Sequence, residues 1–303
     1  MKSYFNYFLI LIHLSLIIIS CNTWEKNYIT YYNKVNEIDS IYRIAQRPKL
    51  AIKKFRKLFT EFQPKNQERI EEFKNYIYLS DKYQKNFGGK KNLYKFITLI
   101  APYRNAYQEH LPLFKKYGID SLEAVNKIDL WVRSREKVLM DSITTLFIRD
   151  QEGKRLDVNI SARNDLKNSK LMKWIFDNYG YPSLQKVGVF GNDDVFLPMS
   201  TFFSHMSASQ DYPYFEKKLK RYLEMGDCTP REYSTMVDRY HLQVLKDKML
   251  YGSYIGVDGI SDTVQVNKNR KSVGLPSLKH NNIITKDFLK KLNIPAKWLE
   301  KSE

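Results

Sequence analysis

Cysteine is nearly absent: Cys21 and Cys228 are the only two in 303 residues. A disulfide framework is thereby excluded, and the fold must stand on its buried core. Glycine and proline are also scarce, at 12 and 10 residues, which argues for long regular elements rather than a loop-rich or low-complexity chain. Acidic residues are outnumbered, with 33 Asp+Glu against 50 Lys+Arg for a formal charge of +17. No His-x-x-x-His, Cys-x-x-Cys, Gly-x-Ser-x-Gly or glycine-rich phosphate loop occurs. Zinc, serine-elbow and nucleotide chemistry therefore have no motif to rest on, and no cofactor is expected. Long apolar runs are missing as well, save one at the start.

That run spans residues 8–19 behind Lys2, and it ends in Ile18-Ile19-Ser20-Cys21. A positive start, a short apolar stretch and a small residue before cysteine have the form of a lipoprotein export signal. The stretch is shorter than the roughly 20 residues of a membrane span. The expectation is removal of residues 1–20, lipid on Cys21 and a protein tethered in the cell envelope, with the outer membrane as its assumed location. An ordinary cleaved signal, or an uncleaved anchor with Cys21 incidental, is the alternative. Removal of Lys2 leaves +16, and residues 22–149 carry 25 Lys+Arg against 14 Asp+Glu. Clusters sit at Lys49, Lys53, Lys54, Arg56, Lys57 and at Lys82, Lys85, Lys90, Lys91, Lys95. Such a surface suits anionic lipid, an acidic glycan or a protein partner, or is simply a solvated helix face. With no nucleic-acid module legible and export expected, nucleic acid is not an expected partner.

Periodicity predicts a mainly α fold: a tether over 21–33, a basic helical region over 34–149, and a compact helical domain with a small β-hairpin over 150–303. Ile38, Ile41, Tyr42 and Ala45 recur at helical spacing, as do Leu50, Phe55, Leu58, Phe59 and Phe62 after Pro48. Ala51 with Phe55 and Phe59 ahead of Pro64 resembles tetratricopeptide-like helix pairs, beside which an irregular bundle stays open. Residues 129–149 read as one long helix, and 168–178 as another that stops at Gly180. Asp193/Asp194 are expected to open an apolar helix to Met206, kinked at Pro198. Thr229-Pro230-Arg231-Glu232 is a capping box with proline at the first helical position, starting a helix to about Leu250. The alternation Thr263-Val264-Gln265-Val266 among Gly252, Gly256 and Gly259 suggests the hairpin.

The second half carries an ordered set of short motifs. They are Asp150-Gln151 with Arg155, Gly180-Tyr181-Pro182 with Gly188, His205, Asp238-Arg239, Tyr251-Gly252-Ser253, and Arg270 before Gly274-Leu275-Pro276. In this order residues 150–278 resemble an uncharacterised bacterial family of unknown function. The chain departs from that pattern at Tyr181, where tryptophan is usual, at Ser204 before His205, where glutamine is usual, and at Ser253 in place of threonine. The resemblance implies a fold neighbourhood and a residue set, and no activity.

Two roles suit that polar set. His205, Asp238 and Asp150 could form an acid–base group, with Gln151, Arg155, Arg239, Tyr251 and Arg270 binding an anionic substrate. The same residues could equally be a hydrogen-bonded network tying helices together. Asp238 and His241, three apart on one helix face, could offer two metal ligands. The function classes are correspondingly two: an envelope binding or interaction module, or a hydrolase or lyase working through His205 and Asp238.

Overall fold

The computed structural model describes residues 27–66, 68–253 and 262–293. The export signal and Cys21 lie outside the described residues, as do 254–261, the middle of the expected hairpin. Among the described residues there are 14 α-helices and no strands. They are α1 (Tyr28–Arg43), α2 (Pro48–Glu61), α3 (Glu72–Lys82), α4 (Gly89–Ile100), α5 (Tyr107–Lys116), α6 (Ser121–Ser134) and α7 (Lys137–Asp150). After a 3₁₀ turn at Glu152–Arg155 come α8 (Val158–Tyr179), α9 (Leu184–Val187), α10 (Met199–Met206), α11 (Tyr212–Met225), α12 (Pro230–Gln243), α13 (Thr263–Ser272) and α14 (Leu278–Lys291).

The mainly α expectation holds, and no β-hairpin is seen among the described residues. Thr263–Val266 opens helix α13, because the Asp262 side chain accepts from the Val264 and Gln265 amides and satisfies two of the helix's free donors. Alternating β-branched residues gave the strand pattern, and the cap overrides it. A single isolated bridge between Phe190 and Phe196 is the whole β content of the described residues. The expected helix over 129–149 is two helices, since Arg135 is extended and the Glu136 side chain caps α7 through the Leu139 amide. Asp193 and Asp194 lie in a 3₁₀ turn with positive φ, and α10 begins only after Pro198. The capping box at Thr229 is complete, with Glu232 answering the Thr229 amide, and that helix ends at Gln243.

Helix α1 reaches into the segment expected as tether and joins the halves. Tyr28, Tyr31, Tyr32, Val35 and Ile38 are all buried at three- and four-residue spacing. Asn33 and Asn36 donate to the Lys271 and Gly274 carbonyls, and Asp39 pairs with His280 of α14 and Arg43. Two glycines make this approach possible. A Cβ at Gly226 (φ +79) would lie 2.4 Å from the Tyr28 ring, and one at Gly274 (φ +82) would lie 2.7 Å from the Tyr32 Cβ. A continuous apolar core then runs from Tyr28 to Ile284 through both halves. Its C-terminal centre is the aromatic group Phe176, Tyr181, Phe202, Phe203 and Phe215, and α10 lies along α12 there.

Candidate functional site

The polar residues singled out in the sequence form two separate groups. The first gathers at the end of α7. The Asp150 side chain is fully buried, and its two oxygens lie 2.9 and 3.0 Å from His205 Nδ1 at the end of α10. Gln151 Nε2 donates to the same carboxylate at 2.5 Å. Arg155 Nη1 donates to the Asp150 carbonyl and to Oδ1, both at 3.1 Å, and the guanidinium grips Asp165 of α8 bidentately at 2.9 and 2.8 Å. Gly153, Lys154 and Arg155 all have positive φ, and this tight reversal carries Arg155 back over the helix end. The carboxylate that holds His205 is therefore Asp150, not Asp238.

Asp238 belongs to the second group. Both its oxygens accept backbone amides, from Tyr251 at 2.8 Å and Ser253 at 2.6 Å, and Ser253 Oγ donates to Ser234 Oγ at 2.7 Å. Burial lifts the Asp238 carboxyl above its ordinary range. Arg270, 2% exposed, donates to the Tyr251 and Pro276 carbonyls. Burial and the nearby Arg231 push its guanidinium down to about 10. Tyr251 takes part through its backbone rather than its hydroxyl. Arg239 stands apart, donating to Gln243 on the exposed side of α12. With both Asp238 oxygens on backbone amides, the Asp238–His241 spacing makes no ligand pair. Among the described residues no three His, Cys, Asp or Glu side chains gather as a metal site requires.

Neither group lines the seam cleft, which is smaller than the hollows of about 440 Å³ beside Leu99 and Gln185 and about 340 Å³ beside Trp131 and Phe190. That cleft lies at the seam where α1 and the α2–α3 connection meet the start of α12. Its larger chamber, about 220 Å³, has Tyr103, Leu184, Val187, Leu197, Met199 and Glu232 in its wall. The smaller one, about 40 Å³, is walled by Tyr32, Asn36, Arg69, Glu72, Gly274 and Ile284. Asn66, Glu68 and Arg231 line both chambers. Of the motif fragments, it is the glycine and proline ones that reach this cleft, through Pro182, Gly188 and Gly274-Leu275-Pro276.

The electrostatics of the seam are unusual. Burial pushes the carboxyls of Glu72 and Glu232 up to about 7. Glu72 accepts the Tyr31 hydroxyl at 2.8 Å, and Glu232 accepts the Thr229 amide at 2.7 Å. Arg69 is drawn down to about 10, by burial first and by Arg231 second. It donates to Thr285 Oγ1 at 2.9 Å and lies over the Phe288 ring. Arg231 has only a loose ion pair, its Nε 3.8 Å from Glu68 Oε2. The hydroxyls of Tyr32 and Tyr181 are buried without a well-formed hydrogen bond, although Tyr32 lies beside Asn66 and Tyr181 beside Glu232 and Cys228. Perturbed carboxyls and a weakly paired arginine around a concave surface make this seam the candidate site.

Sequence reasoning passed over these seam residues. Arg231 and Glu232 read as part of a capping box, and Glu68, Arg69 and Glu72 belong to no motif. Only the fold brings them to one place. No protein-family model, curated protein or solved structure matches the chain.

The raised Glu72 carboxyl has a consequence for stability. The native state keeps a proton that the unfolded chain releases near 4.5, so Glu72 favours folding below that pH. Its contribution is lost as pH rises through about 7. Glu72→Gln is expected to gain about 3 kcal/mol at pH 8 and close to nothing at pH 4.5, measured by urea unfolding at both. An equal change at the two values would contradict the burial of an ionisable Glu72.

Proposed function

We propose that the protein is a lipid-tethered envelope lipoprotein that binds a small polar ligand in the seam cleft, a binding module rather than a catalyst. The observation that carries this reading is the cleft itself, with Arg231 and Glu68 loosely paired and the Tyr32 hydroxyl without a well-formed hydrogen bond. The His205 and Asp238 groups have their hydrogen bonds met inside the fold and serve to hold α7, α8, α10, α12 and α13 in place. Lipid on Cys21 would keep the chain at a membrane, and no helix among the described residues is long and apolar enough to cross one. The exposed Lys53, Arg56 and Lys57 of α2 adjoin the 82–95 cluster, since Arg56 reaches the Asn86 carbonyl. Contact of this basic surface with anionic headgroups fits that placement.

A hydrolase or lyase reading draws on one specific feature. A buried carboxylate fixing Nδ1 of a histidine that is 12% exposed is also how a general base is oriented. In that reading Asp150, not Asp238, stands behind His205.

The test is a thermal-shift screen of the full chain against envelope metabolites, since a ligand of the folded state raises the melting temperature. Ser200→Phe fills the larger chamber, where Ser200 forms part of the wall. A shift seen with the native protein and lost in Ser200→Phe supports binding in the cleft. A shift kept by Ser200→Phe, or turnover that depends on His205, overturns it.

A further inference from the structure

We infer that the cleft, taken as the ligand site on the reading above, accepts an α-amino zwitterion with an apolar side chain. Its carboxylate would lie between Arg69 and Arg231, its ammonium against Glu68, and its side chain in the larger chamber. The inference starts from the contact between Arg231 and Glu68. At 3.8 Å the pair is beyond hydrogen-bond length, and both side chains are partly exposed, at 24% and 29%. A guanidinium and a carboxylate held this near without bonding each keep donor or acceptor capacity on the wall of the same cleft. A molecule with opposite charges on one carbon completes both at once. A plain amine or a plain acid completes only one and leaves the other partly desolvated, a penalty that site-built specificity exploits.

Three further observations agree. The Tyr32 hydroxyl, on a residue only 7% exposed that walls the smaller chamber, makes no well-formed hydrogen bond and has only the Asn66 side chain beside it, so a carboxylate oxygen placed there would offer it a stronger acceptor. Arg69 and Arg231 both line the smaller chamber, where burial first and Arg231 second draw the Arg69 guanidinium down, and an anion between the two relieves that crowding. Leu184, Val187, Leu197 and Met199 supply an apolar wall next to the charged centre rather than around it. The size is also limiting. Chambers of about 220 and 40 Å³ fall at or below the lower end of the roughly 300–1,000 Å³ typical of ligand pockets, which favours a ligand of a few heavy atoms over an oligomer.

Isothermal titration of the full chain at pH 7 with three probes tests this. They are leucine, isopentylamine, which is leucine without its carboxylate, and 4-methylpentanoate, which is leucine without its ammonium. The expected result is leucine bound at least tenfold tighter than either. Arg231→Met should erase the preference for leucine over the amine, and Glu68→Gln the preference over the acid. If a variant fails to fold, the three probes on the native protein still decide. Equal binding of 4-methylpentanoate and leucine, lost in Arg231→Met, would overturn the zwitterion and leave an anion site in the same cleft. No binding of any probe, with screen ligands still lost in Ser200→Phe, would also overturn the ligand class alone. No binding of any probe, with screen ligands kept in Ser200→Phe, would overturn the cleft as well.

Discussion

Asp150→Ala is expected to lower stability by about 3–5 kcal/mol, the range for removing one partner of a buried charged pair. The side chain is wholly buried and is the common acceptor for His205 at the end of α10 and for Gln151 and Arg155 in the turn after α7. Its loss leaves His205 without its fixed partner and Arg155 with Asp165 and the residue-150 carbonyl, so the closure of α7 on α8 and α10 loosens together. Urea unfolding measures the change. The companion is a double-mutant cycle with His205→Ala, where residues in direct contact should show a coupling of about 1–3 kcal/mol. A loss below about 1 kcal/mol for Asp150→Ala would mean that this buried group is not structural.

Asp238→Ala has a comparable expected effect, about 3–5 kcal/mol. It strips the acceptor from two buried amides, at Tyr251 and Ser253, and removes a carboxylate whose field supports the buried Arg270 guanidinium. Asp238→Asn keeps one acceptor oxygen and should lose about half as much. Amide hydrogen exchange locates the damage: Tyr251 and Ser253 should lose protection while α1–α6 keep theirs. Unchanged protection at both amides would show that the turn after α12 is held by something other than Asp238.

Much of the helical frame was readable along the chain, because each signal was local. Thr229 with Glu232 fixed one helix start, Gly180 and Gly226 fixed two helix ends, and the three- and four-residue spacing in α2 and α4 needed no partner to be seen. Errors arose where one side chain decided between two patterns. Asp262 turned an apparent strand into α13, and Glu136 divided an apparent long helix into α6 and α7. Of the polar motif residues Asp150, Asp238 and Arg270 are buried and bonded, and the histidine that meets Asp150 lies on another helix. Nothing in the spacing of 150, 205 and 238 tells which carboxylate meets the histidine. The cleft was invisible for the same reason. Tyr32, Glu68, Tyr103 and Arg231 are far apart in sequence, and they meet only because Gly226 and Gly274 let the second half approach α1.

Functional groups are commonly held at some cost to the fold, whereas architectural ones stabilise it. On the proposed reading Arg231, crowded by Arg69 and loosely paired to Glu68, has the first character and Asp150 the second. The deciding measurement is therefore thermal unfolding of Asp150→Ala and Arg231→Met beside the native protein. The expected result is a large drop in melting temperature for Asp150→Ala and an unchanged or higher value for Arg231→Met. The reverse order, with Arg231→Met melting far below the native protein and Asp150→Ala unaffected, would make the seam the architecture and the Asp150–His205 group the site.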